Sequence, residues 1–156
     1  MFRDVTRFKQ KLSEAECIEI LKTEKRGVLS VLGDDGYPYG LPINFIFHDG
    51  KIYFHCAREG HKLDAIRAKE KVCFTVLSEP VRNEGEWWYC LTSVIVFGRA
   101  REVADPSEAE PLLRALGAKY FPEGYDIEGD IQRNGSKALI IEITPDHISG
   151  KHVREK

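Results

Sequence analysis

The feature that most constrains this chain is a strand-to-helix junction at Ile52–Leu63. Its first half is rich in residues that favour β-strands, and Lys62–Ala68 carries apolar residues at helical spacing. Gly60 separates the two, and His61 and Lys62 bring basic side chains to the start of the helix. Free backbone N–H groups, a residue without Cβ and adjacent cations are what a phosphate requires. A plain strand–loop–helix junction has the same pattern, so both interpretations stay open on spacing alone.

Turn residues divide much of the chain into short β-strands. Asp49-Gly50 is a favoured pair at the centre of a tight hairpin, so the second strand should fold back onto the third. Gly98 allows a bend in the long fifth strand, because no side chain resists a kink there. The six predicted strands are Val28–Leu32, Tyr37–Phe47, Lys51–Ala57, Lys71–Leu77, Trp87–Val103 and Lys137–Thr144.

Three segments predict helices. Ser13 and Glu16 have the spacing of a capping box, Leu12 and Cys17 are placed as its hydrophobic staple, and Gly27 is placed to end the helix. The predicted helices are Ser13–Gly27, Lys62–Ala68 and Asp105–Tyr120. Segment 121–136 is rich in Gly, Asp and Glu and predicts a surface loop, and Ser149–His152 predicts a short polar tail.

This order of elements predicts a mainly β fold with peripheral helices. Six strands with hairpin and meander connections form a small closed or half-closed barrel. A chain of 156 residues supports one self-sufficient core, so a single domain over 1–156 is expected. Lys and Arg number 23 against 25 Asp and Glu, and no run of five basic residues occurs. A nucleic-acid partner is therefore not expected.

Membrane, redox and metal signals are weak. Met1–Gln10 has no apolar leader, and apolar runs such as Ala138–Ile141 are too short to span a bilayer, so no membrane association is expected. The cysteines are Cys17, Cys56, Cys73 and Cys90. They have no Cys-x-x-Cys or Cys-x-x-His spacing, which predicts reduced thiols in a cytoplasmic protein. No metal site is expected, unless histidines distant in sequence meet in the fold.

Four segments carry motifs that occur together in one family. They are Gly-Tyr-Pro-Tyr-Gly-Leu-Pro-Ile-Asn-Phe at 36–45, Ile-Tyr-Phe-His-Cys-Ala-Arg-Glu-Gly-His-Lys at 52–62, Ser-Val-Ile-Val-Phe-Gly-Arg-Ala at 93–100 and Ser-Gly-Lys at 149–151. In this order, over about Glu14–Lys151, the chain resembles the nitroimidazole-resistance (Nim) branch of the pyridoxamine 5′-phosphate oxidase-like flavoproteins. The resemblance implies a six-stranded split β-barrel that dimerises and holds FMN in a groove between subunits.

The resemblance also implies which residues contact the cofactor. One group presents backbone groups to the polar edge of the isoalloxazine ring, a second lines the ribityl and phosphate path, a third holds the phosphate and a fourth completes the groove. In that order the groups are Pro42, Ile43 and Asn44; His55, Cys56 and Ala57; Gly60, His61 and Lys62; and Ser93 and Val94. Lys62 suits a phosphate because its positive charge is fixed, whereas many relatives have arginine in place of His61.

His55 is the residue to which the resemblance assigns a catalytic role. A ring nitrogen near the flavin can donate or relay a proton during reduction. Without the resemblance, His55 is a half-buried histidine satisfied by a neighbour. Cys56 follows in the strand and should point to the opposite face, so a joint His–Cys nucleophile is not expected. The aromatic run Trp87–Tyr89 either covers the flavin, packs at a dimer interface or belongs to the core.

The activity that the resemblance implies is that of an FMN-dependent oxidoreductase, nitroreductase-like, acting on a small planar acceptor such as a nitroimidazole. True pyridoxamine phosphate oxidases grip the vitamin phosphate with a C-terminal basic and aromatic segment. That segment has no counterpart after Thr144, so vitamin oxidation is not expected. The alternative is a non-catalytic flavin- or haem-binding protein on the same barrel.

Two features favour a homodimer with flavin sites between subunits. The second predicted strand carries two prolines, which lack N–H donors, so it is not fully paired within its own sheet. The chain also has more apolar strand residues than one small barrel uses. These residues are Phe45, Phe47, Val94, Val96 and Phe97. If they fill the barrel instead, they provide no apolar face for a dimer.

Overall fold

The computed structural model describes residues 2, 3 and 5–156; Met1 and Asp4, which belong to the segment expected to lack an apolar leader, lie outside the described residues. The strands are β1 Arg26–Leu32, β2 Pro38–Asn44, β3 Ile46–His48, β4 Lys51–Cys56, β5 Lys71–Leu77, β6 Cys90–Val103 and β7 Leu139–Arg154. The helices are α1 Glu14–Thr23, α2 His61–Ala68, α3 Pro106–Tyr120 and α4 Ile127–Asn134, with 3-10 turns at Phe8–Gln10 and Gly135–Lys137.

The seven strands form one antiparallel sheet whose two edges are consecutive in sequence. The strand order is β2-β1-β5-β6-β7-β4-β3, so β2 and β3 stand at opposite ends of the sheet. Only Phe45 separates them along the chain, and the sheet must therefore curl into a half-barrel. The predicted mainly β, split-barrel fold is confirmed, with seven strands instead of six.

The additional strand arises because the predicted strand 37–47 breaks at Phe45. The Phe45 N–H donates to the Tyr120 hydroxyl at 2.8 Å, and the same hydroxyl lies 2.7 Å from the Phe45 carbonyl oxygen. A side chain thus replaces a neighbouring strand at this residue. The predicted hairpin at Asp49-Gly50 is confirmed, with positive φ angles of 47° and 76°. It joins only Ile46–His48 to β4, because β2 pairs with β1.

Strands β6 and β7 form a long pair that the sequence predicted only in part. The segment 149–152, predicted as a polar tail, pairs with β6 from Thr92 to Ile95. It forms a strand because a long neighbour offers it ladder hydrogen bonds, which local sequence does not reveal. The predicted bend at Gly98 is confirmed by a register shift between Phe97 and Gly98. A Cβ at Gly98 would lie 2.6 Å from the Thr144 carbonyl oxygen, so glycine is needed there.

Helix α1 begins as predicted and ends earlier. The Glu16 N–H donates to Ser13 Oγ at 3.3 Å and the Ser13 N–H donates to the Glu16 carboxylate at 2.7 Å, which confirms the capping box. The helix ends at Thr23 instead of Gly27. Gly27 lies in β1, where an added Cβ would be 2.2 Å from the Phe74 ring. This glycine therefore permits close packing in the barrel and caps no helix.

Two later helices flank the sheet. Helix α3 begins as predicted, because the Asp105 carboxylate accepts the Ser107 N–H at 2.9 Å. The segment predicted as a loop at 121–136 contains α4, whose start is capped by Asp126 accepting the Gly129 N–H at 2.9 Å. Helix α4 packs closely on α3 at Gly117. A Cβ at this position would lie only 3.1 Å from Ile127.

The main core fills the barrel. Phe45, Val94 and Val96 are fully buried in it, so these three residues do not form the outer apolar face predicted for a dimer. Strand alternation explains the difference, because Val94 and Val96 point inward while Phe97 points outward and stays 39% exposed. Phe47 is half-buried against the same core.

A buried carboxylate lies beside a second apolar cluster, between the sheet and α3. Glu142 accepts two hydrogen bonds of 2.8 Å from Arg101, lies 3.1 Å from Lys51 Nζ and accepts the Tyr53 hydroxyl at 3.2 Å. Burial raises the pKa of Glu142, but the bonds from Arg101 and Lys51 outweigh this effect and bring the pKa down to about 2. Burial and the Glu142 charge raise the pKa of Tyr53 to about 12. Arg101 also binds Glu108 at 2.6 Å, which ties the start of α3 to the sheet.

Three further findings bear on membrane, metal and redox chemistry. Within residues 2, 3 and 5–156, no helix is long and apolar enough to cross a bilayer. Over the same residues, no group of three or more His, Cys, Asp or Glu side chains is placed to hold a metal ion. All four cysteines carry free thiols.

Candidate cofactor site

A cleft of about 350 Å³ opens between the ends of β2 and β4 on one side and helices α3 and α4 on the other. The sheet side consists of Asn44, His55, Cys56 and Ala57. The helical side consists of Leu113, Leu116, Gly117, Tyr120, Phe121, Ile127, Asp130, Ile131, Asn134, Gly135, Lys137 and Ala138. Largely apolar walls with a few polar groups are typical of small-molecule sites, and volumes of about 300–1,000 Å³ are usual for them.

Asn44 contributes a hydrogen-bond acceptor that lacks a donor. Its Oδ1 atom is buried, and no described residue donates to it. Leaving a buried acceptor unpaired costs about 1–3 kcal/mol, so a ligand N–H that reached Oδ1 would be stabilised. Asn44 is the last residue of β2 and directly precedes Phe45, where the strand is interrupted.

His55 presents a neutral imidazole to the cleft. Partial burial lowers the pKa of His55 below its usual 6.5, and the positive charge of Lys62 lowers it further, while Asp130 acts in the opposite direction. The ring is therefore neutral at pH 7, with one nitrogen as donor and the other as acceptor. Such a group can both give and take a proton.

The start of helix α2 lies a few residues beyond β4. Gly60 is its N-cap, with a φ of 127° that favours glycine, and no described atom lies within 4 Å of the place its Cβ would take. Lys62 is half-buried, and its charge lowers the pKa of His55. Burial raises the pKa of Cys56, and the charge of Lys62 offsets part of that rise. A cationic side chain and an open helix N-terminus therefore stand next to the cleft.

His61 shares this helix start, but its ring contacts the turn between β1 and β2. Its Nε2 lies 3.5 Å from a carboxylate oxygen of Asp34, and its ring stacks on Tyr39 with centroids 4.7 Å apart. The side chain is thus engaged elsewhere. Of the two basic side chains predicted to hold a phosphate, Lys62 is the one next to the cleft.

Seven of the eleven predicted residues, Gly60, His61 and Lys62 among them, do not line the cleft. Val94 and Ile43 are buried in the barrel core, and Pro42 lies within β2. Ser93 lines a separate groove of about 510 Å³ on another part of the surface, together with Lys151. Within a single chain, the structure therefore brings together the ends of β2 and β4 but not the predicted residues of β6.

The helical wall of the cleft was not predicted from the sequence. Asn134 Nδ2 donates to Asp130 at 2.9 Å and Lys137 Nζ donates to Asn134 Oδ1 at 3.3 Å, so polar groups of α4 and the following turn are linked. Arg58 Nε donates to the Ser136 carbonyl at 2.7 Å and joins this wall to the loop after β4. The sequence offers two signals for helix α4, namely the capping Asp126 and the isoleucines Ile127 and Ile131, which are four residues apart. The glycines around them favour a loop.

The aromatic run Trp87–Tyr89 lies before β6 and outside the cleft. Trp87 is exposed and packs edge-on against Trp88, with centroids 5.7 Å apart. Lys156 Nζ lies 4.9 Å from the Trp88 ring centroid. Contact of these residues with a flavin or a second subunit stays a prediction.

Sequence comparison supplies the family. A family model described as pyridoxamine 5′-phosphate oxidase matches residues 13–152. The chain belongs to this family. The family expectation from the sequence motifs is therefore confirmed, and the match includes every residue predicted to bind the cofactor. No curated protein matches the sequence.

Several solved structures share the fold. A candidate 5-nitroimidazole antibiotic resistance protein from Bacteroides thetaiotaomicron is 17% identical, with 92% of this chain and 87% of that chain covered and a TM-score of 0.76. A conserved hypothetical protein from Mycobacterium tuberculosis is 18% identical, with 96% and 90% covered and a TM-score of 0.80. A FAD and heme binding protein from Mycobacterium smegmatis is 20% identical, with 95% and 74% covered and a TM-score of 0.74.

Proposed function

We propose that this chain is an FMN-dependent oxidoreductase that reduces a small planar acceptor such as a nitroimidazole. The observation that carries the proposal is that Asn44 and His55 line one cleft and that the charge of Lys62, at the start of α2, acts on His55. They provide an unpaired acceptor, a neutral imidazole and a cation at a helix start. Family membership, the nitroimidazole-resistance candidate and the FAD and heme binding relative support this choice of cofactor class and acceptor.

The residues present fit a flavin that carries a phosphate. Lys62 and the N-terminus of α2 would hold the phosphate, and Asn44 Oδ1 would accept a ring N–H. The apolar helical side of the cleft would exclude water from the ring. When bound, a flavin supplies transfer of a hydride or of single electrons. His55 would deliver or accept a proton at a ring nitrogen, because it is neutral at pH 7.

We further propose a cytoplasmic homodimer with the flavin between subunits. The outer face of β1, β5 and β6 leaves Val28, Leu32, Leu77 and Phe97 exposed, a row of apolar side chains on one face of the sheet. Ser93 lines a groove away from its own cleft, so a second copy would be needed to bring it to a flavin. Free thiols at all four cysteines fit a reducing compartment. Light scattering tests the assembly, and a monomer with stoichiometric FMN would contradict it.

Binding of FMN and of riboflavin tests the phosphate site. FMN should bind more tightly, because riboflavin lacks the phosphate. Lys62→Ala should weaken FMN binding by about tenfold or more, the effect of one charge-assisted hydrogen bond, and leave riboflavin binding unchanged. Lys69→Ala, at the other end of α2, is the matched control and should bind both as the wild type does. Equal affinity of the wild type for both ligands would contradict the site.

A second candidate function is non-catalytic binding of flavin or haem. A neutral histidine is a common axial ligand of haem iron, and His55 presents one. Turnover distinguishes the two functions, since an enzyme must reoxidise reduced flavin with an organic acceptor faster than free FMN does. For an enzyme, His55→Ala should lower kcat for the acceptor more than it weakens FMN binding. Full turnover by the variant would remove His55 from the chemistry.

A further inference from the structure

We infer that Tyr120 is a positioning residue that holds Asn44 where its side-chain oxygen can accept the ring N–H of the cofactor. This inference rests on the proposed flavin site. Tyr120 ends α3, whereas Asn44 ends β2, and the two lie 76 positions apart in sequence. Both line the same cleft.

The Tyr120 hydroxyl occupies the gap between the two edge strands. It accepts the Phe45 N–H at 2.8 Å, and its single proton is placed between the carbonyl oxygens of Phe45 and Lys25, each at 2.7 Å. A hydroxyl has one donor and two acceptor sites, so this geometry uses its donor and one of its acceptor sites. The Tyr120 side chain thus fixes the backbone at Phe45, where the strand is interrupted, and at Lys25, just before β1.

Phe45 is also held from its other sides. Lys119 Nζ lies 4.6 Å from the Phe45 ring centroid and donates to the Glu24 carbonyl at 2.6 Å, and the Phe45 ring packs edge-on against Phe74 at 5.0 Å. The side chain of Phe45 is therefore fixed by the core and its backbone by Tyr120. Removing only the hydroxyl frees the backbone while the ring packing remains.

The consequence for the cofactor follows from adjacency. Asn44 is the last residue that pairs with β1, and the backbone after it depends on Tyr120. The Oδ1 atom of Asn44 is buried and lacks a donor among the described residues, so it is available to accept a ligand N–H. An oxidised isoalloxazine ring has one N–H, at N3. Tyr120 therefore acts on the ring through Asn44.

The test compares FMN with its N3-methylated analogue, which cannot donate to Asn44. The dissociation constants of both ligands are measured by flavin fluorescence for the wild type, Tyr120→Phe, Asn44→Leu and Tyr53→Phe. Tyr53→Phe is the matched control, because it also removes a hydrogen-bonded hydroxyl from a buried tyrosine, at Glu142. All four proteins are kept folded in a trimethylamine N-oxide buffer, and urea unfolding gives their stabilities.

The measured quantity is the dissociation constant of the N3-methylated analogue divided by that of FMN. It should be about tenfold in the wild type, the effect of one hydrogen bond, and should fall towards one in Asn44→Leu. It should fall to about threefold or less in Tyr120→Phe and stay about tenfold in Tyr53→Phe, although both variants lose stability.

Several outcomes would overturn the inference. A wild-type ratio near one would remove Asn44 as the acceptor and leave the flavin site itself intact. An unchanged ratio in Tyr120→Phe, or an equal fall in Tyr53→Phe, would reduce Tyr120 to a structural role. A wild-type protein that binds neither ligand would overturn the proposed function and this inference with it.

Discussion

The buried carboxylate of Glu142 gives the sharpest test of the energetics. Glu142→Gln keeps the shape of the side chain and removes its negative charge, so it mimics the protonated carboxyl. Arg101 and Lys51 keep their positive charges. The pKa of Glu142 is brought from its ordinary 4.5 to about 2, and each factor of ten in proton affinity corresponds to about 1.4 kcal/mol. The charge of Glu142 therefore contributes about 3 kcal/mol to the free energy of unfolding at pH 7.

The pH dependence has a defined sign. Because the folded-state pKa is lowered, the stabilisation is fully present above about pH 4.5 and is lost as the pH falls towards 2. Urea unfolding, followed by tryptophan fluorescence, should show Glu142→Gln less stable by about 3 kcal/mol at pH 7 and by less than half of that at pH 3.

A matched control isolates burial from charge. Glu108→Gln removes a carboxylate that binds the same Arg101, but the Glu108 side chain is 44% exposed, so the loss should stay below about 1 kcal/mol. A loss for Glu142→Gln no larger than that of Glu108→Gln would refute the reasoning. So would a difference from wild type that stays constant between pH 7 and pH 3.

Two further predictions concern packing and the cleft. Gly27→Ala should lower the free energy of unfolding by about 2 kcal/mol, because its Cβ would lie 2.2 Å from Phe74, whereas Gly40→Ala, with its nearest atom at 3.7 Å, should cost less than half of that in the same urea assay. His55 should titrate below 6.5 by NMR, and Lys62→Ala should raise its pKa; a pKa unchanged by this substitution would place Lys62 away from the cleft.

Local patterns predicted local structure well. The hydrogen bonds of the capping box at Ser13 involve residues three positions apart, and the turn at Asp49-Gly50 needs only its own backbone angles. Strand Lys71–Leu77 has the bounds that its alternation predicts. These features form because the deciding contacts lie within a few residues.

The features that the sequence did not reveal depend on distant residues. The break at Phe45 is made by Tyr120, and the last part of β7 is a strand because β6 extends beside it. At the site, three of the motif residues of β2 and β4 line the cleft, namely Asn44, His55 and Cys56, whereas Pro42 and Ile43 do not. The family motifs could not place Ser93 within the cleft, and α4 carried no motif, because tertiary packing defines that wall.

The break at Phe45 also bears on behaviour at high protein concentration. An open sheet edge offers unpaired N–H and C=O groups to other chains and promotes aggregation. In this protein one edge strand carries Pro38 and Pro42, which have no N–H to offer, and the other, Ile46–His48, is only three residues long. Neither edge can template a long intermolecular ladder. Concentrated solutions should therefore resist amyloid-like assembly.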